Sequence, residues 1–498
     1  MPLAALLTGA LLAGGSVPLP IGPLAFVGLV PLLRALLRPR SLGVAFRDGL
    51  VAGLVFFGIA FGWVFQSQVG VGLALPLAYV LAIPLLSAGF GVFALVTAWI
   101  ARRSRGLALA ATPGLWVGIE FARSQEWLLA VPWNHLGYAL ADWPSLVQGA
   151  SVFGLYGLSA WIVAVNAGLV LMSRLSAPAR SVLVAGLSLP LAAGIALPEA
   201  ELTSTAGASL RVAAVQPFID ERDRHVPDRL QRNLRQLLDL SEPALAERAD
   251  LLVWPESAWE RALGGAGDAF LAAIAHDLGT PLVTGAWHVP APGQASWRNT
   301  AVLATSDGRT PVVAEKVHPV PVYERAAESP AARFLARAGL WSGRFGRGDA
   351  RAPLLLPIAN GAAPAIGVLV CIDASHPELA RALRRAGARL LVSIANEAGT
   401  GAWSAALHAR VARLRAVENR MPVVRVANTG PTLWIDARGG VVAALAAGEP
   451  ASGTHALALA GAAPPYVHLG DRAVVAAWFL SALAIVAARF IQPERGVE

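Results

Sequence analysis

Residues 1–33 carry no charged side chain, and neither do residues 49–101, 143–173 or 181–198. A helix needs about 20 apolar residues to cross the hydrocarbon core of a bilayer. Spacing of these runs between arginine-bearing breaks predicts seven spans, near 3–16, 20–37, 48–66, 74–100, 106–121, 147–172 and 180–198, with an eighth at 472–490. A cleaved signal peptide would normally begin with a charged stretch, which "MPLAALLTGALL" lacks, so the first run reads as a span.

From about residue 208 the pattern changes to short apolar runs alternating with amphipathic stretches. "LRVAAVQP" and "DLLVWPES" read as strands around the helix "DRLQRNLRQLLDLSEPALAERA"; "DAFLAAIAHDLG" and "TPLVTGAW" repeat helix then strand. "RNTAVLATSDGRTPVVAEKVH" reads as a hairpin with "SDGR" at its tip. "APAIGVLVC" and "RLLVSIAN" are predicted strands, "PELARALRRAGA" and "SAALHARVARLRAVENRM" predicted helices, and "PVVRVANTGPTLWIDARGGVVAAL" supplies further strands. Such alternation predicts a layered α/β domain with strands buried between helices.

Composition sharpens the first half of this picture. At 55% hydrophobic and 14% charged residues over 498, with a mean hydropathy of +0.56, the chain is too apolar for an ordinary soluble globule and long enough for two or more domains. Arg34, Arg38, Arg40 and Arg47, then Arg102, Arg103 and Arg105, then Arg174 and Arg180 fall in alternate loops, all on one side. The bias of arginine toward the cytoplasm makes that side cytoplasmic and puts residues 199–471 outside. The net charge of +8 resides in these loops and in scattered arginines, with no basic stripe that would indicate nucleic acid. GxxxxGK[ST], GxGxxG after a strand, HExxH and paired CxxC are all lacking, so nothing supports a phosphate-loop, dinucleotide or zinc reading, and no metal or organic cofactor is expected.

One lysine, Lys316, stands against 39 arginines, and Cys371 is the only cysteine. A lone cysteine is ordinarily a small buried hydrophobe, a lone lysine a surface charge, and Glu256 after "WP" a helix-terminal charge. Yet Glu256, Lys316 and Cys371 each end a predicted strand, where α/β folds commonly carry their chemistry. A carboxylate, an ammonium and a thiol can divide acyl transfer among base, oxyanion partner and nucleophile, the ammonium also lowering the thiol pKa. Lysine suits that role as a compact point charge, which the planar guanidinium is not. His318 and His376 leave a Cys–His arrangement open, Glu120 and Arg123 suggest an i,i+3 ion pair, and Trp133 is either an interfacial aromatic or part of a substrate entrance. "GRFGRGDA" reads as a flexible loop.

"VWPES", "EKVHPVPVYE" and "VLVCID" resemble the Glu–Lys–Cys blocks of the nitrilase (carbon–nitrogen hydrolase) superfamily. "GLWVGIEFARS" and "VPWNHLGYALADWPSLVQGASVFGLYGLS" resemble membrane blocks of the apolipoprotein N-acyltransferases, whose nitrilase-like domain sits between seven spans and one. The resemblance implies a polytopic α-helical membrane domain, residues 1–198, and an inserted extracytoplasmic α/β nitrilase-like domain, an α-β-β-α sandwich, at 199–470. An eighth helix and cytoplasmic tail occupy 471–498. It further implies Glu256 as general base, Lys316 as oxyanion partner, Cys371 as nucleophile and Glu324 as supporting carboxylate. Trp133, Asn134 and Asn396 are candidate substrate-binding residues. The implied activity moves an acyl chain from a phospholipid, typically phosphatidylethanolamine, through a cysteine thioester to the α-amino group of a diacylglyceryl-cysteine lipoprotein. The implied place is the periplasmic face of a bacterial inner membrane, with the protein a monomer. The chain departs from the pattern at Cys371-Ile372-Asp373, where Cys-Tyr-Glu is usual, at "PVYER" for "PFGEY", and at "NEAGTGAW" for "NDAWFG". A noncatalytic lipid or lipoprotein binder, or an enzyme using another amine acceptor, are the other readings of those departures.

Overall fold

The computed structural model describes residues 2–16, 21–38, 40–66, 74–125, 131–172, 175–195, 208–223, 226–263, 266–288, 296–307, 312–321, 323–325, 327, 330–339, 343–349, 354–355 and 364–491. Most of the loop "QSQVGVG" and the hairpin tip beyond Asp307 lie outside these residues. The chain divides into two compact units, one of Met1–Val64, Pro76–Leu197 and His468–Glu498, the other of Phe65–Leu75 and Pro198–Val467.

In the first unit the apolar runs form α1 (Pro2–Ser16), α2 (Ala25–Gly28), α3 (Val30–Leu36), α4 (Leu42–Ala60), α5 (Ala74–Ala101), α6 (Arg105–Ser124), α7 (Pro144–Val147), α8 (Ala150–Met172) and α9 (Ala177–Ile195). Among the described residues, α4, residues Tyr79–Ala101 of α5, and α8 are long and apolar enough to cross a membrane. Ser41 and Ser104 cap α4 and α6 by accepting from the N–H of Val44 and Leu107.

Two predicted spans are interrupted. Pro31 has no N–H and its ring crowds the carbonyl four residues back, so the run at 20–37 stops at Gly28 and resumes at Val30. Asn166 of α8 satisfies the break: Leu29 N–H donates to its Oδ1 and its Nδ2 donates to Ala25 O, both at 2.8 Å. Irregular backbone within an apolar unit needs such an internal partner. Inside α8, Gly154 takes φ 68°, a left-handed conformation open to glycine.

The second unit contains β1 (Ser209–Gln216), α10 (Pro227–Leu245), β2 (Leu251–Val253), β3 (Ala262–Leu263), α11 (Ala266–Asp277), β4 (Leu282–His288), β5 (Arg298–Ala304) and β6 (Val312–Glu315). There follow α12 (Pro330–Arg337), β7 (Leu354–Leu355), β8 (Ala365–Val370), α13 (Pro377–Arg385), β9 (Leu390–Ala395), α14 (Gly401–Asn419), β10 (Val423–Ala427), β11 (Thr432–Ile435), β12 (Val441–Leu445), β13 (Ala451–Ala458) and α15 (Pro465–Leu469). One sheet runs β13-β1-β2-β4-β5-β6 with β3 on β4, and the other β12-β11-β10-β9-β8-β7. Side chains alternate between faces of a strand: Leu210, Val212 and Ala214 of β1 enter the core between the sheets, whereas Ala213 and Val215 enter the core beneath α10 and α11. With α13 and α14 on the outer face of the second sheet, the layers are α-β-β-α, as expected. Each fully buried Val or Leu contributes about 1.5–3 kcal/mol.

The last helix, α16 (Arg472–Arg489), belongs to the first unit and lies against α6. Its approach depends on Gly114, where a Cβ would stand 2.0 Å from Ala477 O, and is fastened by Ser481 Oγ donating to Ala111 O at 2.9 Å.

Candidate active site

Three strand ends and a hairpin converge on a buried ion cluster in the second unit. Glu256 lies in the turn after β2, which hugs β4: Trp254 N–H donates to Val283 O at 2.8 Å and Gly285 N–H to Pro255 O at 3.1 Å. A side chain at Gly285 would meet Ser257 N at 2.4 Å and Glu256 Cα at 2.5 Å, so only glycine permits this approach. Lys316 follows β6 and pairs back onto β5, its N–H donating to Asn299 O at 2.8 Å.

Lys316, 1% exposed, sets its Nζ 3.1 Å from Glu256 Oε1 and 2.7 Å from the Glu324 carboxylate. An ammonium survives such burial only with paired charges and filled hydrogen bonds. Asn299 adds the link: its Nδ2 donates to Glu256 Oε1 at 2.8 Å and to Glu324 at 3.4 Å, bridging the two carboxylates. Glu256 Oε2 accepts the Asn396 N–H at 2.8 Å, and Glu324 accepts the Val320 N–H at 2.7 Å. Burial alone would depress the Lys316 pKa, but Glu256, Glu324 and Cys371 together hold it well above its ordinary value. Burial raises the Glu324 carboxyl, against the pull of Lys316 and with the repulsion of Glu256.

Cys371 directly follows β8 and opens a short 3₁₀ turn, Cys371–Ser375. Its φ of 54° is left-handed, sparsely populated for a side-chain-bearing residue and common where structure over-determines a functional group. The residue is partly accessible and abuts the inter-sheet core. Its thiol feels Glu256, Lys316 and Glu324 at once: burial first, then Glu256, raise it well above the ordinary thiol range, and Lys316 only partly offsets them. Lys316 does pull the thiol pKa down, as expected, but burial and the carboxylates outweigh it. Two carboxylates beside one ammonium, in a desolvated site, favour the neutral thiol.

Asp373, two residues past the thiol, is part of the same construction. Asp373, 2% exposed, accepts the N–H groups of Val317 (3.0 Å) and His318 (2.8 Å), tying the Cys371 turn to the segment after Lys316. Burial pushes its carboxyl up to about 6, against the charges of His318 and Lys316 and these two hydrogen bonds. "GRFGRGDA", read from sequence as a flexible loop, carries main-chain hydrogen bonds over residues 343–349: the N–H groups of Phe345, Gly346 and Gly348 donate to Glu324 O, Trp297 O and Lys316 O, each at 2.8 Å.

Thus the second unit assembles Glu256, Lys316, Glu324 and Cys371. Asn396 joins them through its main chain, while its side chain accepts from Ala398 N–H and Asn428 Nδ2. Trp133 and Asn134 belong to the first unit, where Trp133 packs among Phe61, Trp63 and Tyr79. Asn134, at φ 57°, lines a small cavity with Phe56, Phe57, Phe90, Trp116, Glu120 and Arg123, its amide without a partner among the described residues. Glu120 accepts from Trp116 Nε1 and Leu136 N–H, and Arg123 donates to Val131 O and Trp133 O, so both brace this segment. Sequence reasoning missed Asn299 and the clamp at Asp373. The available signal for Asn299 was hairpin register, which sets it opposite Lys316.

Residues 8–168 match the family model of the apolipoprotein N-acyltransferase N-terminal domain, and residues 211–463 that of the carbon-nitrogen hydrolases. A protein of Geobacter metallireducens named apolipoprotein N-acyltransferase is 34% identical over 88% of this chain and 85% of its own. One so named from Bordetella bronchiseptica is 30% identical over 95% and 93%. The crystal structure of an amidase from Nesterenkonia sp. superposes on 55% of this chain and 97% of that one, at 21% identity and a TM-score of 0.40.

Proposed function

Because this chain belongs to the apolipoprotein N-acyltransferase family, we propose that it N-acylates lipoproteins, taking the acyl chain from a phospholipid of the phosphatidylethanolamine type through a Cys371 thioester. The acceptor is the α-amino group of an N-terminal diacylglyceryl-cysteine. The setting is the bacterial inner membrane, with residues 199–470 on the periplasmic side.

The observation that carries this reading is the Lys316 ammonium held between Glu256 and Glu324 within the electrostatic reach of the Cys371 thiol. Each carboxylate oxygen has two acceptor positions. Glu256 Oε1 is filled by Asn299 and Lys316, whereas Oε2 accepts only the Asn396 N–H among the described partners. The remaining position on Oε2 takes the thiol proton as Sγ attacks the ester carbonyl. The tetrahedral oxyanion then forms opposite Lys316 Nζ. Collapse breaks the ester C–O bond, and Glu256 returns the proton to the departing lysophospholipid oxygen. In the second half, the lipoprotein amine attacks the thioester, Glu256 takes its proton, the C–S bond breaks and Sγ is reprotonated. Glu324 and Asn299 keep Lys316 and Glu256 in register throughout. A thioester shielded from water favours aminolysis over hydrolysis.

Mass spectrometry of protein purified from membranes tests this reading. It predicts a fatty-acyl adduct on Cys371, removed by neutral hydroxylamine and discharged by a diacylglyceryl peptide. If no phospholipid yields an adduct, the chain is instead a lipid- or lipoprotein-binding member of its family.

A further inference from the structure

Beside the ion cluster lies a second group of side chains that the acyl-transfer chemistry leaves unused. His318 is two residues past Lys316 and His376 is five past Cys371. Their rings stack at a centroid distance of 3.7 Å and 12° between planes, and His376 Nδ1 lies 3.3 Å from Glu378 Oε1. The ligand atoms of His318, His376 and Glu378 all fall within 4.8 Å of one another. His376 is 4% exposed, His318 is half-buried and Glu378 faces solvent, so the three side chains step from the surface to a buried imidazole.

Both backbone segments are fastened to one residue. Asp373 accepts the His318 N–H in its carboxylate at 2.8 Å and the His376 N–H in its carbonyl at 3.1 Å. These hydrogen bonds hold the main chain of the two histidine-bearing segments against one residue. Pro319 and Pro377 stiffen the chain next to each histidine.

We propose that His318, His376 and Glu378 form a binding site for a first-row transition ion of the zinc type, with a water in the open fourth position. Two imidazoles and one carboxylate select such ions over Mg²⁺ or Ca²⁺, which prefer all-oxygen shells. Two ligand atoms on a tetrahedral Zn²⁺ with bonds of about 2.0–2.2 Å sit about 3.4 Å apart, close to the 3.3 Å between His376 Nδ1 and Glu378 Oε1, and the His318 ligand atom lies within 4.8 Å of both. Parallel rings do not aim their lone pairs at one point. Capture therefore swings the half-buried His318 ring out of the stack while the buried His376 stays in place. The ion would join the Lys316 segment to the Cys371 turn. The site stands apart from the acyl-transfer reading and is tested without it.

The test is titration of the tag-free, full-length protein in detergent micelles with Zn²⁺ by calorimetry, and with Co²⁺ as a visible-spectrum reporter. The expected result is one ion per chain, Co²⁺ bands displaced by Zn²⁺, and affinity at least about tenfold weaker in His318→Ala, since even outer-shell losses cost 10–100-fold. His376→Phe and Glu378→Gln should weaken it as well. If His376→Phe does not fold, the two more exposed positions decide. Failure to bind, or binding that survives His318→Ala and Glu378→Gln, overturns the proposal. So does a thiolate-to-cobalt charge-transfer band that vanishes in Cys371→Ser, which would place the ion on the thiol.

Discussion

Two carboxylates sharing one buried ammonium make Lys316 the residue on which the cluster depends. Lys316→Met strands Glu256 and Glu324 without their counter-charge, and breaking a buried pair in this way costs about 3–5 kcal/mol. The denaturation midpoint should fall accordingly, and adding Glu324→Gln should recover part of it. Lys316→Arg keeps the charge but replaces a point donor with a planar fork. It should fold normally while acyl transfer drops about 10²–10³-fold, the cost of losing one oxyanion donor. Cys371 yields a pH prediction. Its pKa is raised, so the thiolate fraction is lower than in a free cysteine at every pH below its titration. The alkylation rate by iodoacetamide should climb steadily through the usual thiol range near pH 8.5. A plateau at or below neutral pH would mean a preformed thiolate and would sink the reading in which Glu256 removes the proton during attack.

At the scale of elements, the parallel pairs β2–β4 and β8–β9 deliver Glu256, Cys371 and Asn396 just past their carboxyl ends, and the β5–β6 hairpin delivers Asn299 and Lys316. Glycine sets how closely the pieces meet. Gly285→Ala drives a Cβ into the backbone of the Glu256 turn, and overpacking of this sort costs about 1–3 kcal/mol. Because the displaced element carries Glu256, acyl-transfer activity should fall further than the stability loss explains, as seen by comparing turnover with the fraction folded. In the first unit, Gly114→Leu collides with the α16 backbone. It should release α16 from α6, read as new protease sensitivity near residue 472, while the nitrilase-like unit keeps its own cooperative unfolding.

For the whole molecule, the arginine asymmetry makes a topological prediction. Protease added to spheroplasts should cut within residues 199–471, and the chain should resist alkaline carbonate extraction from membranes. Protection of that region in intact spheroplasts, with cleavage only after lysis, would reverse the orientation inferred from Arg34–Arg47, Arg102–Arg105 and Arg174–Arg180. The two halves of the chain use apolar residues differently: α8 is apolar along nearly its whole length, whereas β1 divides its side chains between two cores.

What the sequence determined by itself was whatever is written locally or by composition. Apolar runs announced the helices, period-two and short buried runs announced the strands, and the only lysine and only cysteine at strand ends marked Lys316 and Cys371, with Glu256 at a third strand end. Tertiary structure alone decided the pairings between distant residues. Asn166 repairs the break at Leu29 from 137 positions away, Asn299 bridges carboxylates on both sides of it, and Asp373 fastens the lysine segment from 55 positions away. The sign of the Cys371 shift belongs to the same class, because it is set by burial and by how many charges of each sign surround the thiol in three dimensions. Those quantities have no local signature, since a hydrogen-bond partner or a counter-charge is specified by distance in space and not along the chain.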